Sequence, residues 1–186
     1  MAKEIRSVAP GRICLLGDHQ DYLLLPIIAC AIDRQIEIIA IENEENRFNI
    51  FKEDLAEHVV LELDPSASSM LDHHGKPNFL KLALKVCKRH GCVPTRGYDL
   101  RVRGSIPINA GLSSSSALIV AFIQFLIVAF GMDGLSRGEE DGDGDEDEDE
   151  NGDGEQVPPA LLARLAWETE VLELNTSGGK MDHYSI

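Results

Sequence analysis

Positive charge is scarce in this sequence. Lys and Arg number 17 against 32 Asp and Glu, a formal net charge of -15 over 186 residues. That balance argues against nucleic acid or an anionic membrane as a partner, because both are bound chiefly through an excess of Lys and Arg. Long apolar runs are missing too. The longest, Ala117 to Phe130, spans 14 residues and contains Gln124, too few to cross about 30 Å of hydrocarbon. The first residues, Met1-Ala2-Lys3-Glu4-Ile5-Arg6, lack the apolar core of a secretory signal. Cys14, Cys30, Cys87 and Cys92 show no CxxC spacing, even with His73, His74 and His90 nearby, so thiols kept reduced in a cytoplasmic core are expected rather than a metal or redox centre. The length leaves room for one ordinary domain and excludes a large multidomain assembly.

The charge is unevenly spread. Gly138 to Glu155 holds twelve acidic residues in eighteen and no Lys or Arg; setting it aside leaves 20 acidic against 17 basic residues, a nearly neutral body. A run of Asp, Glu and Gly with no apolar residue has no surface to bury against its ordering entropy, so disorder is expected over 138–156. It lacks the ligand spacing of an EF-hand calcium loop, which favours a solvated insertion.

The body reads as strands followed by helices. Ile5–Ala9 and Arg12–Leu16 are apolar runs separated by Pro10-Gly11, Ile27–Ile41 is rich in Ile, and Arg47–Phe51 and His58–Leu63 follow a polar turn at Asn43–Asn46. An antiparallel sheet is the economical arrangement. After a loop over Asp64–Asn78, Phe79, Ala83, Val86 and His90 recur at helical spacing up to Gly91. A strand at Tyr98–Val102 leads into Asn109-Ala110-Gly111-Leu112 and four serines, then into the apolar run ending at Gly131, expected as a helix buried nearly all round. Pro158-Pro159 can open a last long helix reaching about Leu174, and Asn175–Gly179 breaks it.

Three segments carry polar groups in patterns that chemistry could use. The Gly-Ser loop between a strand and a helix aims backbone N–H groups and a helix N-terminus at one point, an arrangement that favours phosphate. Without a Gly-Lys-Ser/Thr it is not the Walker pattern, and a helix cap with surplus serines accounts for it equally well. Asp18, His19 and Asp21 fall within four positions after an apolar strand. They suit a reader of sugar hydroxyls, a metal cluster or a solvated turn, of which the turn is the simplest. Gly178-Gly179 lets backbone approach a ligand closely, and Asp182 beyond it could accept a hydroxyl proton.

Together, Pro10-Gly11-Arg12 with Asp18-His19-Gln20-Asp21-Tyr22, Pro107 with Gly111 to Ser116, and Gly179 to Asp182 resemble, in order, the motifs of the GHMP kinase superfamily and within it the galactokinases. The resemblance implies an α+β fold, the GHMP kinase N-terminal domain (ribosomal protein S5 domain 2-like), with a mixed or antiparallel sheet packed on helices. It implies phosphoryl transfer from MgATP to a monosaccharide hydroxyl, the anomeric one, of galactose or a close relative. By position, Asp182 and Arg12 would be catalytic; Asp18, His19, Asp21 and Gly179 would bind the sugar. Asn109, Ala110, Gly111, Leu112, Ser113, Ser114 and Ser115 would wrap the ATP phosphates, with Ser115 and Glu170 holding Mg2+.

The sequence departs from the pattern at Asp18, where galactokinases usually have Glu, and at Gln20, where Thr is common; both lie at the sugar end. Lys180 adds a cation beside Asp182 to which the resemblance assigns no role. The resemblance also implies a C-terminal domain with a third, glycine-rich motif, which no residue up to Ile186 supplies. The chain is therefore expected to be one domain of a larger unit, a fragment or truncated product, or half of a site that a partner chain completes. A catalytically silent sugar- or nucleotide-binding module is the alternative.

Overall fold

The computed structural model describes residues 4–64, 70–72, 75–107, 110–132, 157–176 and 178–186. The acidic segment 138–156, Asn109, and the histidines at 73 and 74 lie outside the described residues.

The first strand, β1, runs unbroken over Glu4–Leu16 where two strands were expected. Pro10 ends neither, because β1 lies at the edge of the sheet, where a missing N–H interrupts no second ladder. The Pro10-Gly11 pair instead marks a register shift against β2, Ile28–Glu42. Alternation brings Ile5, Ser7 and Ala9 inward; past the shift, Gly11 and Arg12 are buried in succession. The extra residues of this irregularity fall on β2, where Ile32, Asp33 and Arg34 lie opposite Gly11 alone, and beside them Arg12 is buried.

Arg47–Lys52 (β3) and Glu57–Glu62 (β4) form a hairpin, and Tyr98–Gly104 (β5) completes a sheet of order β1-β2-β5-β3-β4. Every pair is antiparallel except β3 with β5, so of the two arrangements expected, mixed or antiparallel, the sheet is the mixed one. The reason is topological. The turn at 43–46 sends β3 back against the direction of β2, and a strand inserted between two opposed neighbours must run parallel to one of them.

One face of the sheet, carrying Ile38, Ala40, Phe48, Ile50, Leu61 and Leu100, packs on the helices and the other is open to solvent, where Ile41, Phe51 and Val60 stand among charged and polar residues. Helix α1, Phe79–Arg89, is capped by Asn78, whose side chain accepts the Lys81 N–H at 3.2 Å, and ends before Gly91 at φ 83°. Helix α2, Ser114–Phe130, is buried on nearly every side. Fully burying a side chain such as Ile119, Phe122 or Phe125 contributes about 1.5–3 kcal/mol. Its lone polar residue in that run, Gln124, accepts the Val8 N–H at 3.2 Å and so meets the edge strand.

Helix α3, Pro159–Trp167, opens on Pro159 as expected but ends earlier than expected. Glu168–Leu172 continues as one π-helical turn, with Glu173 N–H bonded to Glu168 O at 3.0 Å. A short helix, α4, Met181–Ser185, follows the glycine break. No helix among the described residues is long and apolar enough to cross a membrane.

Candidate active site

The register shift between Pro10 and Arg12 delivers Arg12, its side chain only 10% exposed, to the start of α2. Arg12 N–H bonds Leu112 O at 3.2 Å and Nη1 bonds Gly111 O at 2.6 Å, so the arginine grips the Gly-Ser loop from below. Gly11 leaves room for this approach; a Cβ there would sit 2.9 Å from Leu112 O. The rest of the guanidinium faces Asp182. Nε lies 2.7 Å and Nη2 2.6 Å from the same carboxylate oxygen, Oδ1. Two donors on one oxygen make a strong, charge-assisted pair and leave the other oxygen free to be set separately.

Ser113 sets it. This residue occupies the position before α2 in a left-handed conformation, φ 54° and ψ 46°, and makes no capping bond to the helix. Its hydroxyl donates to Asp182 Oδ2 at 2.7 Å instead. A non-glycine residue in that region is strained, and strain of this kind collects at functional sites. The reading of the serines as surplus helix caps therefore fails at Ser113, because the hydroxyl that should cap points at a carboxylate.

Asp21 lies across from α4 and accepts the Met181 N–H at 3.0 Å through Oδ2. The carboxylate comes so close to Gly179 that a Cβ there would overlap it. Asp18 and His19 stand at the mouth of the same cleft with side chains 66% and 82% exposed. Arg12, Asp18, His19, Asp21, Glu170 and Asp182 line this cleft of about 530 Å³ together with the glycine break. Ala110 and Gly111 are exposed, and Leu112, Ser113, Ser114 and Ser115 half-buried, at the head of α2.

The π-helical turn places Glu170. Stacking five residues in the turn brings Glu168 and Glu173 to one side, where α1 receives them: Glu173 pairs with Lys85 at 2.6 Å and Arg89 at 2.7 Å, Glu168 with His90 at 2.8 Å. Glu170 is left facing α2. It accepts Ser115 Oγ at 3.1 Å on Oε1, and on Oε2 both Ser116 Oγ at 2.7 Å and His183 Nε2 at 2.9 Å. Burial pushes the Glu170 carboxyl up, but hydrogen bonds from His183, Ser116 and Ser115 and the charge of His183 outweigh it and hold it below the usual carboxylate range.

Among the described residues no group of three or more His, Cys, Asp or Glu side chains forms a metal cluster. The donors that suit Mg2+ are hydroxyl and carboxylate oxygens instead. Adjacent oxygens on an octahedral Mg2+ at about 2.0–2.1 Å lie about 2.9 Å apart, and Ser115 Oγ and Glu170 Oε1 have nearly that separation.

Sequence reasoning did not find Ser116 or His183. The available signal was weak: one more serine in a run of four, and a histidine beside an aspartate. Lys180, without a role on paper, turns away from Asp182 and places Nζ 5.0 Å from the centre of the Trp167 ring, a favourable cation–aromatic contact.

The fold and these segments have counterparts. Residues 78–140 match the family of GHMP kinases N terminal domains, and residues 2–41 the galactokinase galactose-binding signature. The galactokinase of Candida maltosa is 33% identical over 135 residues, which cover 69% of this chain and 63% of that protein. The galactokinase of Exiguobacterium sibiricum is 28% identical over 128 residues, covering 69% of this chain and 33% of that one. Among solved structures, Lactococcus lactis galactokinase complexed with galactose superposes with a TM-score of 0.76 at 23% identity, covering 99% of this chain and 42% of that chain. Methanococcus jannaschii mevalonate kinase gives 0.73 at 18%, covering 51% of its own chain. The chain belongs to the GHMP kinase superfamily and carries its N-terminal domain. Within the superfamily it is galactokinase-like. It spans less than two thirds of the length of these relatives.

Proposed function

We propose that this domain serves a sugar kinase that transfers the γ-phosphate of ATP to a hydroxyl, the anomeric one, of galactose or a close relative. The observation that carries the reading is the convergence of Arg12 and Ser113 on the two oxygens of Asp182 in a cleft shared with Asp21 and Gly179. Phosphoryl transfer asks the protein mainly for positioning and electrostatic stabilisation, and this is a positioned carboxylate beside a positioned cation.

The sugar rests against Gly179, with hydroxyls donating to Asp21, Asp18 and His19; Asp21 Oδ2 already holds Met181 N–H, which leaves Oδ1 for the ligand. The reacting hydroxyl faces Asp182, and its oxygen forms the new bond to the γ-phosphorus as the bond to the bridging oxygen of ADP breaks. The hydroxyl proton passes to Asp182, whose carboxylate Arg12 and Ser113 hold in place. The loop of residues 109–115 gives backbone N–H groups and hydroxyls to the phosphates at the start of α2. Ser115 and Glu170 would hold Mg2+, which when bound neutralises charge on the β- and γ-phosphates.

We read residues 1–186 as one domain, interrupted by the acidic segment 138–156. A cytoplasmic location agrees with four cysteines that are all free thiols.

Calorimetry with ATP and a panel of monosaccharides, run beside a coupled turnover assay, tests the proposal. Binding of galactose or a relative together with turnover supports it. Binding without turnover selects a silent module, and no binding of any monosaccharide overturns the reading.

A further inference from the structure

We propose that His183 is a positioning residue that turns Glu170 so that Oε1, the oxygen beside Ser115, faces the cation bound with the nucleotide. The inference rests on the phosphotransfer reading and adds to it a residue that none of the sequence motifs assigns.

His183 follows Asp182 directly in α4 and is 4% exposed. Its Nε2 is 2.9 Å from Glu170 Oε2. The carboxylate carries no proton to give, so Nε2 is the donor. Ser116, 1% exposed, donates to the same oxygen at 2.7 Å. A carboxylate offers about four lone-pair sites, two on each oxygen. Oε2 is thus filled by two buried donors. Oε1 receives Ser115 alone and keeps one site open. The asymmetry decides which oxygen is available to a cation.

The other ring nitrogen shows that His183 is not there for packing. Nδ1 is buried with no hydrogen-bond partner among the described residues. An apolar ring would fill the same space without leaving a polar atom unpaired. What the imidazole adds is the N–H at Nε2, and that N–H goes to Glu170.

The arrangement also links two functions within one helical turn. Asp182 reaches Arg12 and Ser113, while its neighbour reaches Glu170 and, through it, Ser115 and Ser116. Displacing His183 should therefore change how the site uses a cation and leave its sugar subsite intact.

The test uses the 186-residue chain and measures ATP affinity by calorimetry across a range of Mg2+ concentrations, with monosaccharide affinity in parallel. In His183→Phe the Mg2+ concentration for half-maximal ATP binding should rise by about 10- to 100-fold, the usual effect of removing a residue that orients a metal ligand. Monosaccharide affinity should stay unchanged. His183→Gln, whose amide N–H can reach the same oxygen, should restore most of the cation dependence. Should the Phe variant fail to fold, His183→Asn, too short to reach Glu170, takes its place with the same expectation. A folded donor-less variant with wild-type Mg2+ dependence, or equal loss of sugar and cation affinity, overturns the inference alone. A wild-type chain whose ATP binding ignores Mg2+ overturns the phosphotransfer reading, and the inference with it.

Discussion

Arg12 and Asp182 lie 170 positions apart in the chain, yet Nε of the arginine is 2.7 Å from Asp182 Oδ1. Arg12 is buried beside the register shift at Pro10-Gly11, and α4 brings the aspartate to it. Arg12 also binds the carbonyl of Gly111. One guanidinium thus joins the edge strand, the Gly-Ser loop and the carboxylate proposed to receive the sugar proton.

Asp182→Asn keeps the shape of the side chain and removes its charge. Turnover in the active kinase should fall by about 10²–10⁴-fold, the contribution of a positioned acid–base group, while monosaccharide affinity persists. Steady-state kinetics beside calorimetry checks both halves, and turnover within a few fold of wild type would remove Asp182 from its role.

Gly179→Ala should act through space rather than backbone conformation. The added Cβ overlaps the Asp21 carboxylate and pushes it off Met181 N–H. Losing a hydrogen bond to a charged group costs about 1.5–3 kcal/mol, so monosaccharide affinity should weaken about tenfold or more. An affinity equal to wild type would show that Asp21 takes no part in sugar binding.

The depressed carboxyl of Glu170 has a pH signature. As pH falls, the unfolded chain takes up its proton near the ordinary value of 4.5, before the folded chain does. The stabilisation is complete above that value and is lost as pH falls through the folded one. Urea unfolding at about pH 6 and about pH 3 should show the gap between wild type and Glu170→Gln narrowing at the lower pH. A gap that is constant or wider in acid contradicts the assignment.

Thiol reactivity should divide the four cysteines. Burial pushes the Cys92 thiol up to about 12 and raises the Cys87 thiol as well, whereas Cys30 is exposed and Cys14 half-buried. Reaction needs the thiolate and access to it. Iodoacetamide on the native chain should modify Cys14 and Cys30 alone, and in urea all four; mass spectrometry reads the difference. Because both buried thiols are raised when folded, the stability they contribute is complete below about pH 9 and declines as pH rises toward their folded values.

Much of this molecule can be read along the chain. Local pattern identified α2 as buried all round, since no run of fourteen residues with one polar member has a face to give to water, and it put Pro159 at the start of α3. Pro10-Gly11 was legible as an interruption. Whether it would end a strand or shift the register within one depended on β1 lying at the sheet edge, a fact of topology. The parallel pairing of β5 with β3 was hidden for the same reason, because strand order belongs to the assembled sheet.

The π-helical turn shows a different limit. The segment after Trp167 has the composition of an ordinary helix end, and its extra residue is stabilised by contacts from another element, where Lys85 and Arg89 of α1 and His90 at its C-terminal cap draw Glu168 and Glu173 to one side. Glu170 faces the serines only as a result.

By itself the sequence determined most strand and helix spans, and the residue types present in three motifs, because hydrophobic period, proline and glycine act over a few neighbouring residues. The tertiary structure alone decided that Arg12 and Ser113 would meet Asp182, that Glu170 would meet Ser115, and that His183 would join them. Those are encounters between distant segments, and their geometry is set by a register shift, a left-handed serine and a π-helical turn that only packing of the whole domain holds in place.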